Sequence, residues 1–142
     1  MMDYPRRAAC NLFALRQAAR SVTILYDRHL AKAGLTSSQH SILVAINMHP
    51  DSTMQDLADN LVMDRTALLR ALKPLSQEGY VRQHPSPEHA RRLVLSLTAA
   101  GKAKVLEARP HWQRAQDEFE AQMGSEESQA LRTILLSIPH AR

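Results

Sequence analysis

The chain has 142 residues, enough for one domain with its own core, and its 44% hydrophobic content excludes a disordered protein. A lone cysteine, Cys10, excludes an intramolecular disulfide; no apolar run reaches the roughly 20 residues of a membrane helix and no hydrophobic leader opens the chain, so a cytoplasmic protein is expected. Net charge is +4, with the cations bunched: residues 64–92 hold six Lys/Arg against three acids, residues 1–33 six against two, and residues 34–63 none against three.

Leu12, Leu15, Ala19, Val22, Tyr26, Leu30 and Ala33 recur at spacings of three and four, which predicts a long helix over 8–33 stopped at Gly34. So long an apolar stripe on so small a domain fits either an ordinary core helix or one that packs in part on a second copy. Thr36 with Gln39 forms a capping box for the next helix, which buries Ile42, Leu43 and Ile46 and ends at His49-Pro50-Asp51. Thr53 opens a short helix, with Asp56 favourably placed in its first turn and Leu57, Ala58 and Leu61 inward. After Leu61-Val62-Met63, Asp64 caps a helix from Arg65 to about Glu78, with Pro74 expected to kink it.

Tyr80 to Gln83 and Leu93 to Leu97 read as two strands, the second alternating with Leu93, Leu95 and Leu97 on its buried face. The stretch between them, from His84 to Arg92, is a proline-containing basic loop, so the whole is a hairpin. Thr98 opens a long helix to about Met123, with a kink expected at Pro110, and residues 126–138 form a last helix whose face is Ala130, Leu131, Ile134, Leu135 and Ile138. The fold class is therefore mainly α with a small β-hairpin wing: a winged helix-turn-helix over 36–97, flanked by dimerisation helices at 1–35 and 98–142, in one domain.

On the helix from Arg65, 100° per residue puts Leu68, Ala71, Leu72 and Leu75 on one side and Arg65, Thr66, Leu69, Arg70 and Lys73 on the other. Read alone, such a cationic face is an ordinary solvated one. What points to double-stranded DNA is a second basic group, Arg91 and Arg92, at the hairpin tip, where a wing meets the backbone or the minor groove. Arginine suits guanine edges; Lys73 and Thr66 suit phosphates.

These features, with Gly34-Leu35-Thr36 and Gln39, Leu57-Ala58, Met63-Asp64-Arg65-Thr66, Leu72 to Val81, Arg91 and Leu97-Thr98-Ala99-Ala100-Gly101, resemble the MarR family of regulators over nearly the whole chain. The resemblance implies a homodimer with interlocked first and last helices on a pseudo-palindromic operator. It also implies release, most often of a repressor, by a small phenolic or indolic carboxylate bound near the junction of the dimerisation and DNA-binding parts. One departure stands in the wing: the family's acid two residues before Arg91 is His89 here, so that either Glu88 beside it substitutes as the arginine's partner or the wing is looser.

For an effector, Arg16 and Arg20 lie one turn apart on the first helix and fit either a carboxylate clamp or plain surface charge. His40 is a further candidate, and Trp112 fits either a core or interface role or a pocket wall. The resemblance also implies an alternative, peroxide sensing through Cys10, which lies about two residues upstream of the family's sensing cysteine with Arg6 and Arg7 close in sequence and reads equally as a passive cysteine; a winged helix that pairs with protein instead of DNA is another. Seven scattered histidines show no metal-ligand spacing, and no phosphate loop or nucleophile motif occurs, so neither a metal, a cofactor nor an enzyme is expected.

Overall fold

Helix caps frame the computed structural model, which describes residues 6–140. Cys10 stands at the N-cap of α1 (Asn11–Leu30), its Sγ accepting the Phe13 N–H. The long helix expected over 8–33 is trimmed by single 3-10 turns at Arg7–Ala9 and Ala31–Ala33, and Gly34 ends it at φ 73°. Thr36 opens α2 (Ser37–Met48) with the expected reciprocal box: its hydroxyl accepts the Gln39 N–H while the Gln39 side chain accepts its own N–H. Thr53 and Asp56 form a second such box at α3 (Met54–Leu61). Asp64 caps α4 (Arg65–Gln77) through the Ala67 N–H, and Thr98 caps α5 (Ala99–Met123) through the Gly101 N–H. Both α4 and α5 run on as single helices through Pro74 and Pro110, and α6 (Ser125–Leu136) follows Gly124.

The strands β1 (Val81–Pro85) and β2 (Leu93–Leu97) pair antiparallel, Val81 opposite Leu97 and Pro85 opposite Leu93. A single bridge from the turn after α2, which the sequence pattern did not reveal, completes the wing root: the Asp51 N–H donates to the Leu95 carbonyl and the Leu95 N–H to the Ser52 carbonyl. The expected alternation of β2 is broken. Leu93 is 52% exposed and Val94 is buried beside Leu95 and Leu97. With α2, α3 and α5 all packed near β2, its inner residues are covered from more than one side, while Leu93 lies beyond that cover at the loop end.

Leu30, Leu35, Ile42, Leu43, Ile46, Leu57, Leu68, Leu75, Val81 and Leu95 make one core beneath the helix-turn-helix. The terminal helices contribute little to it. Of the α1 stripe only Leu30 and Ala33 are buried, and Leu12 and Leu15 stand 63% and 41% exposed. On α6 the expected face is open as well: Leu131 is partly buried, Ile134, Leu135 and Ile138 are exposed, and the buried residue is Ser128. Between α1, α5 and α6 lies an apolar trough of about 660 Å³ floored by Leu15, Val22, Phe119, Leu131 and Leu135. Apolar surface on this scale, gathered on two elements, is what a protein partner covers.

The turn between α3 and α4 stores strain. Val62 sits at φ 52°, ψ 44°, with its N–H bonded back to α3 and the Met63 N–H reaching the Ala58 carbonyl. This is the position where glycine normally ends a helix, and a left-handed β-branched residue costs about 1–2 kcal/mol there. Val62 is 63% exposed, so little packing is lost on trimming it. Glycine adds back roughly 0.5–1 kcal/mol of unfolded-state entropy. Val62→Gly is therefore expected to raise the melting temperature by roughly 1–4 °C, measured by circular dichroism; a lower value would show that the valine is unstrained.

Candidate nucleic-acid interface and effector cleft

The predicted recognition face exists as a face. Leu68, Leu72 and Leu75 are 0–4% exposed and anchor α4 on the core, which turns Arg65, Thr66, Leu69, Arg70 and Lys73 outward, all exposed. Asp64 caps α4 through the Ala67 N–H and, among the described residues, makes no ion pair with Arg65. Among the described residues none of Arg65, Arg70, Lys73, Arg91 and Arg92 forms an ion pair. Exposed cations that form no ion pair of their own are available to an external anion.

At the wing tip the chain is closed by its backbone, Ser86 N–H to the Arg92 carbonyl at 2.7 Å and Arg92 N–H to the His89 carbonyl at 2.9 Å. Arg91 and Arg92 are exposed there. Glu88 does not stand in for the expected acid: its backbone N–H bonds Ser86 Oγ, and it makes no ion pair with Arg91. The two arginines differ in setting. Hydrogen bonds from Thr53 hold the Asp56 carboxyl below the usual carboxylate range, and the charge of Arg92 adds to the effect, so Arg92 sits within electrostatic reach of the α3 N-terminus. At the wing root, Asp51 lies 3.4 Å from His84, whose Nε2 also bonds Ser96 Oγ at 3.0 Å.

A second site lies on the other side of α2. A cleft of about 700 Å³ opens between α2, α3 and α5, walled by Val44, Met48, Leu61, Val105 and Trp112, with His40, Asn47, Asn60 and Arg109 as its polar groups. His40 is 9% exposed, and burial pushes its imidazole below the ordinary histidine range, so it is neutral near pH 7, with one ring nitrogen donating and the other accepting. Trp112 is partly buried against the core and faces the cleft with its remaining surface, so it serves both roles the sequence allowed.

Two predicted effector residues are not part of this cleft. Arg16 and Arg20 are exposed on the outer half of α1, around a shallow depression shared with Cys10, Phe13 and Gln17. The cation of the cleft is Arg109, which sequence reasoning missed. Its signal was present: Arg109 and Trp112 are three apart on a helix and must share a face. Cys10 is exposed and caps α1; among the described residues it has no titratable partner in a hydrogen bond or ion pair. No helix among the described residues is long and apolar enough to cross a membrane.

A model of the MarR family matches residues 33–92, the span from the end of α1 to the wing tip. Among curated relatives, the chain is 29% identical over 89 residues to the organic hydroperoxide resistance transcriptional regulator of Bacillus subtilis, covering 63% of this chain and 60% of that one. It is 29% identical over 118 residues to the homoprotocatechuate degradative operon repressor of Escherichia coli, covering 82% and 80%. The chain thus spans about three-fifths of the first of these relatives and four-fifths of the second. Among solved structures, the transcriptional regulator MosR of M. tuberculosis in complex with DNA shares 36% identity and a TM-score of 0.76, with 89% of this chain and 91% of that one covered.

Proposed function

We propose, because this chain belongs to the MarR family of transcriptional regulators, that it is a homodimeric DNA-binding repressor released by a small aromatic carboxylate. The observation that carries the reading is the α4 surface: Arg65, Arg70 and Lys73 unpaired on one side, buried leucines on the other. A helix so anchored enters a major groove with its cations foremost, Arg65 and Arg70 toward base edges, Lys73 and Thr66 toward phosphates, while Arg91 and Arg92 reach the flanking backbone from the wing. The DNA complex of MosR supports the same use of the fold. The open apolar faces of α1 and α6 are assigned to a second copy, so that two recognition helices meet half-sites about 34–36 Å apart.

The cleft supplies the input. Arg109 meets a carboxylate, Trp112 stacks on a ring, and neutral His40 donates to or accepts from a phenol. Because α3 and α5 both line it, a ligand that fits one relative placement of the two better than another shifts the spacing of the recognition helices. The relative named a homoprotocatechuate degradative operon repressor supports an aromatic-acid effector. A second reading, release by peroxide through Cys10, is favoured by the exposed thiol and by the relative named for organic hydroperoxide resistance.

Fluorescence anisotropy on DNA from upstream of the chain's own gene, at two salt concentrations, tests this. Expected are tight binding with a slope of about −0.9 per neutralised phosphate, and release by one member of a panel of phenolic and indolic acids. Arg109→Gln is expected to keep the DNA affinity and to lose at least about tenfold in effector sensitivity, the share of a charge-assisted hydrogen bond. Release by peroxide alone, abolished in Cys10→Ser, would transfer the input to the thiol. Binding at the non-specific level on genomic fragments as well would favour a winged helix that pairs with protein.

A further inference from the structure

One side chain on the α4 surface does not belong to its cationic surroundings. Leu69 is 50% exposed, while its helix neighbours Leu68 and Leu72 are 0% and 4% exposed. Thr66, Leu69, Arg70 and Lys73 follow one another at i, i+3, i+4 and i+7, so Leu69 lies inside the polar stripe and not at its margin with the core. Most other exposed large apolar residues have a different setting: Leu12, Leu15, Ile134, Leu135 and Ile138 fall on the open faces of α1 and α6, Met48 and Leu106 line the cleft, and Val62 occupies the turn before α4. A solitary exposed leucine is ordinary on a surface. A leucine in the centre of the face that enters the groove is a reader without donors or acceptors.

We infer that Leu69 selects thymine in each half-site of the operator by packing on the thymine 5-methyl group. The inference rests on the DNA-binding reading of α4. In the major groove the edges of guanine, adenine and cytosine present donors and acceptors, and the 5-methyl of thymine is the apolar feature. Opposite any other base, Leu69 would strip water from a polar edge and offer nothing in exchange. Opposite thymine it buries a methyl. Arg65 and Arg70 flank it on the helix, so the thymine sits next to, and not among, the positions that arginine reads.

The test uses the full-length protein and a duplex enriched by it from a random 24-base-pair library. Each thymine is replaced singly, in both half-sites together, by deoxyuridine, which keeps every hydrogen-bonding group and lacks only the methyl. Wild type is expected to lose about fourfold per half-site at one symmetry-related pair, near fifteenfold for the dimer, the share of one buried methyl. In Leu69→Ala that pair is expected to become indifferent to the replacement while the effect of every other thymine is unchanged; a melting curve confirms that the exposed substitution leaves the fold intact. If a sequence is enriched but wild type and Leu69→Ala respond alike at every thymine, the Leu69 assignment is overturned and the regulator reading stands. If no sequence is enriched, the regulator reading falls and takes the Leu69 assignment with it.

Discussion

Gly101→Ala is expected to lower the melting temperature by roughly 6–12 °C. Gly101 is the third residue of α5 and is buried, and a Cβ built there meets the carbonyl oxygen and carbon of Tyr80 well inside van der Waals contact. The obstacle is backbone and has no rotamer to change. It is also already in use, since the Tyr80 carbonyl accepts the Thr98 N–H at 3.0 Å and the Thr98 hydroxyl donates to the Gly79 carbonyl. A methyl group forces the first turn of α5 off the start of the wing and loosens both bonds. Overpacking costs about 1–3 kcal/mol, two weakened hydrogen bonds roughly another 1–2, and the better helix propensity of alanine returns about 1. The net of about 2–3 kcal/mol corresponds to the stated shift at roughly 3–4 °C per kcal/mol for a chain of this length. Differential scanning calorimetry checks it, with the exposed Ala100→Ser as a control expected to change little. An unchanged or raised transition in Gly101→Ala would mean that helix and strand do not approach so closely.

Arg70→Ala is expected to reduce specific DNA affinity by about 100-fold or more, and Lys73→Ala to reduce it in a different manner. The dimer carries each substitution twice, and a lost base contact is worth about 1–3 kcal/mol per half-site. Losing Arg70 should relax the preference at one base per half-site and leave the salt dependence nearly as it was. Losing Lys73 should weaken all sequences alike and flatten the logarithmic salt slope by about one per subunit. Neither residue is buried, and neither is paired among the described residues, so neither change should disturb the fold. Titrations at three salt concentrations, on the selected duplex and on a scrambled one, separate the two effects. Equal and small losses for both variants on both duplexes would remove α4 from the groove.

What the sequence made legible is local in origin. Thr36 with Gln39, Asp64 and Thr98 are caps whose hydrogen bonds close within three residues, and each helix start follows from them. The opposed faces of α4 need only the helical period, because Leu68, Leu72 and Leu75 look the same in any fold that buries them. Long-range arrangement was less visible. Two residues, Asp51 and Ser52, are too few to show a strand pattern, yet they complete the wing against Leu95. The choice of Arg16 and Arg20 over Arg109 followed the first helix alone; only the packing of α5 against α2 shows which arginine shares a space with His40. Gly101 belongs to a motif that reads as a helix start, and nothing in the chain's periodicity tells that the Tyr80 carbonyl, just before β1, lies against it. The stripes of α1 and α6 were found correctly as faces, but a single chain leaves them largely uncovered.

The unbroken passage of α5 through Pro110 makes that helix a shaft. Its 25 residues span about 37 Å at 1.5 Å each. At one end Gln116 bonds Tyr26, and Glu118 bonds Arg28 and His29 of α1; at the other, Gly101 is seated on Tyr80 at the head of the wing; Arg109 and Trp112 lie between. A shaft clamped at its α1 end gears angle into travel. A tilt of roughly 5° about the Gln116 contact carries the wing root, 15 residues or about 22 Å along the helix at Gly101, through about 2 Å. That stroke exceeds the few tenths of an ångström over which a hydrogen bond to DNA fails. Had the proline divided α5 into two jointed segments, the same tilt would be absorbed at the joint and the wing would stay where it was.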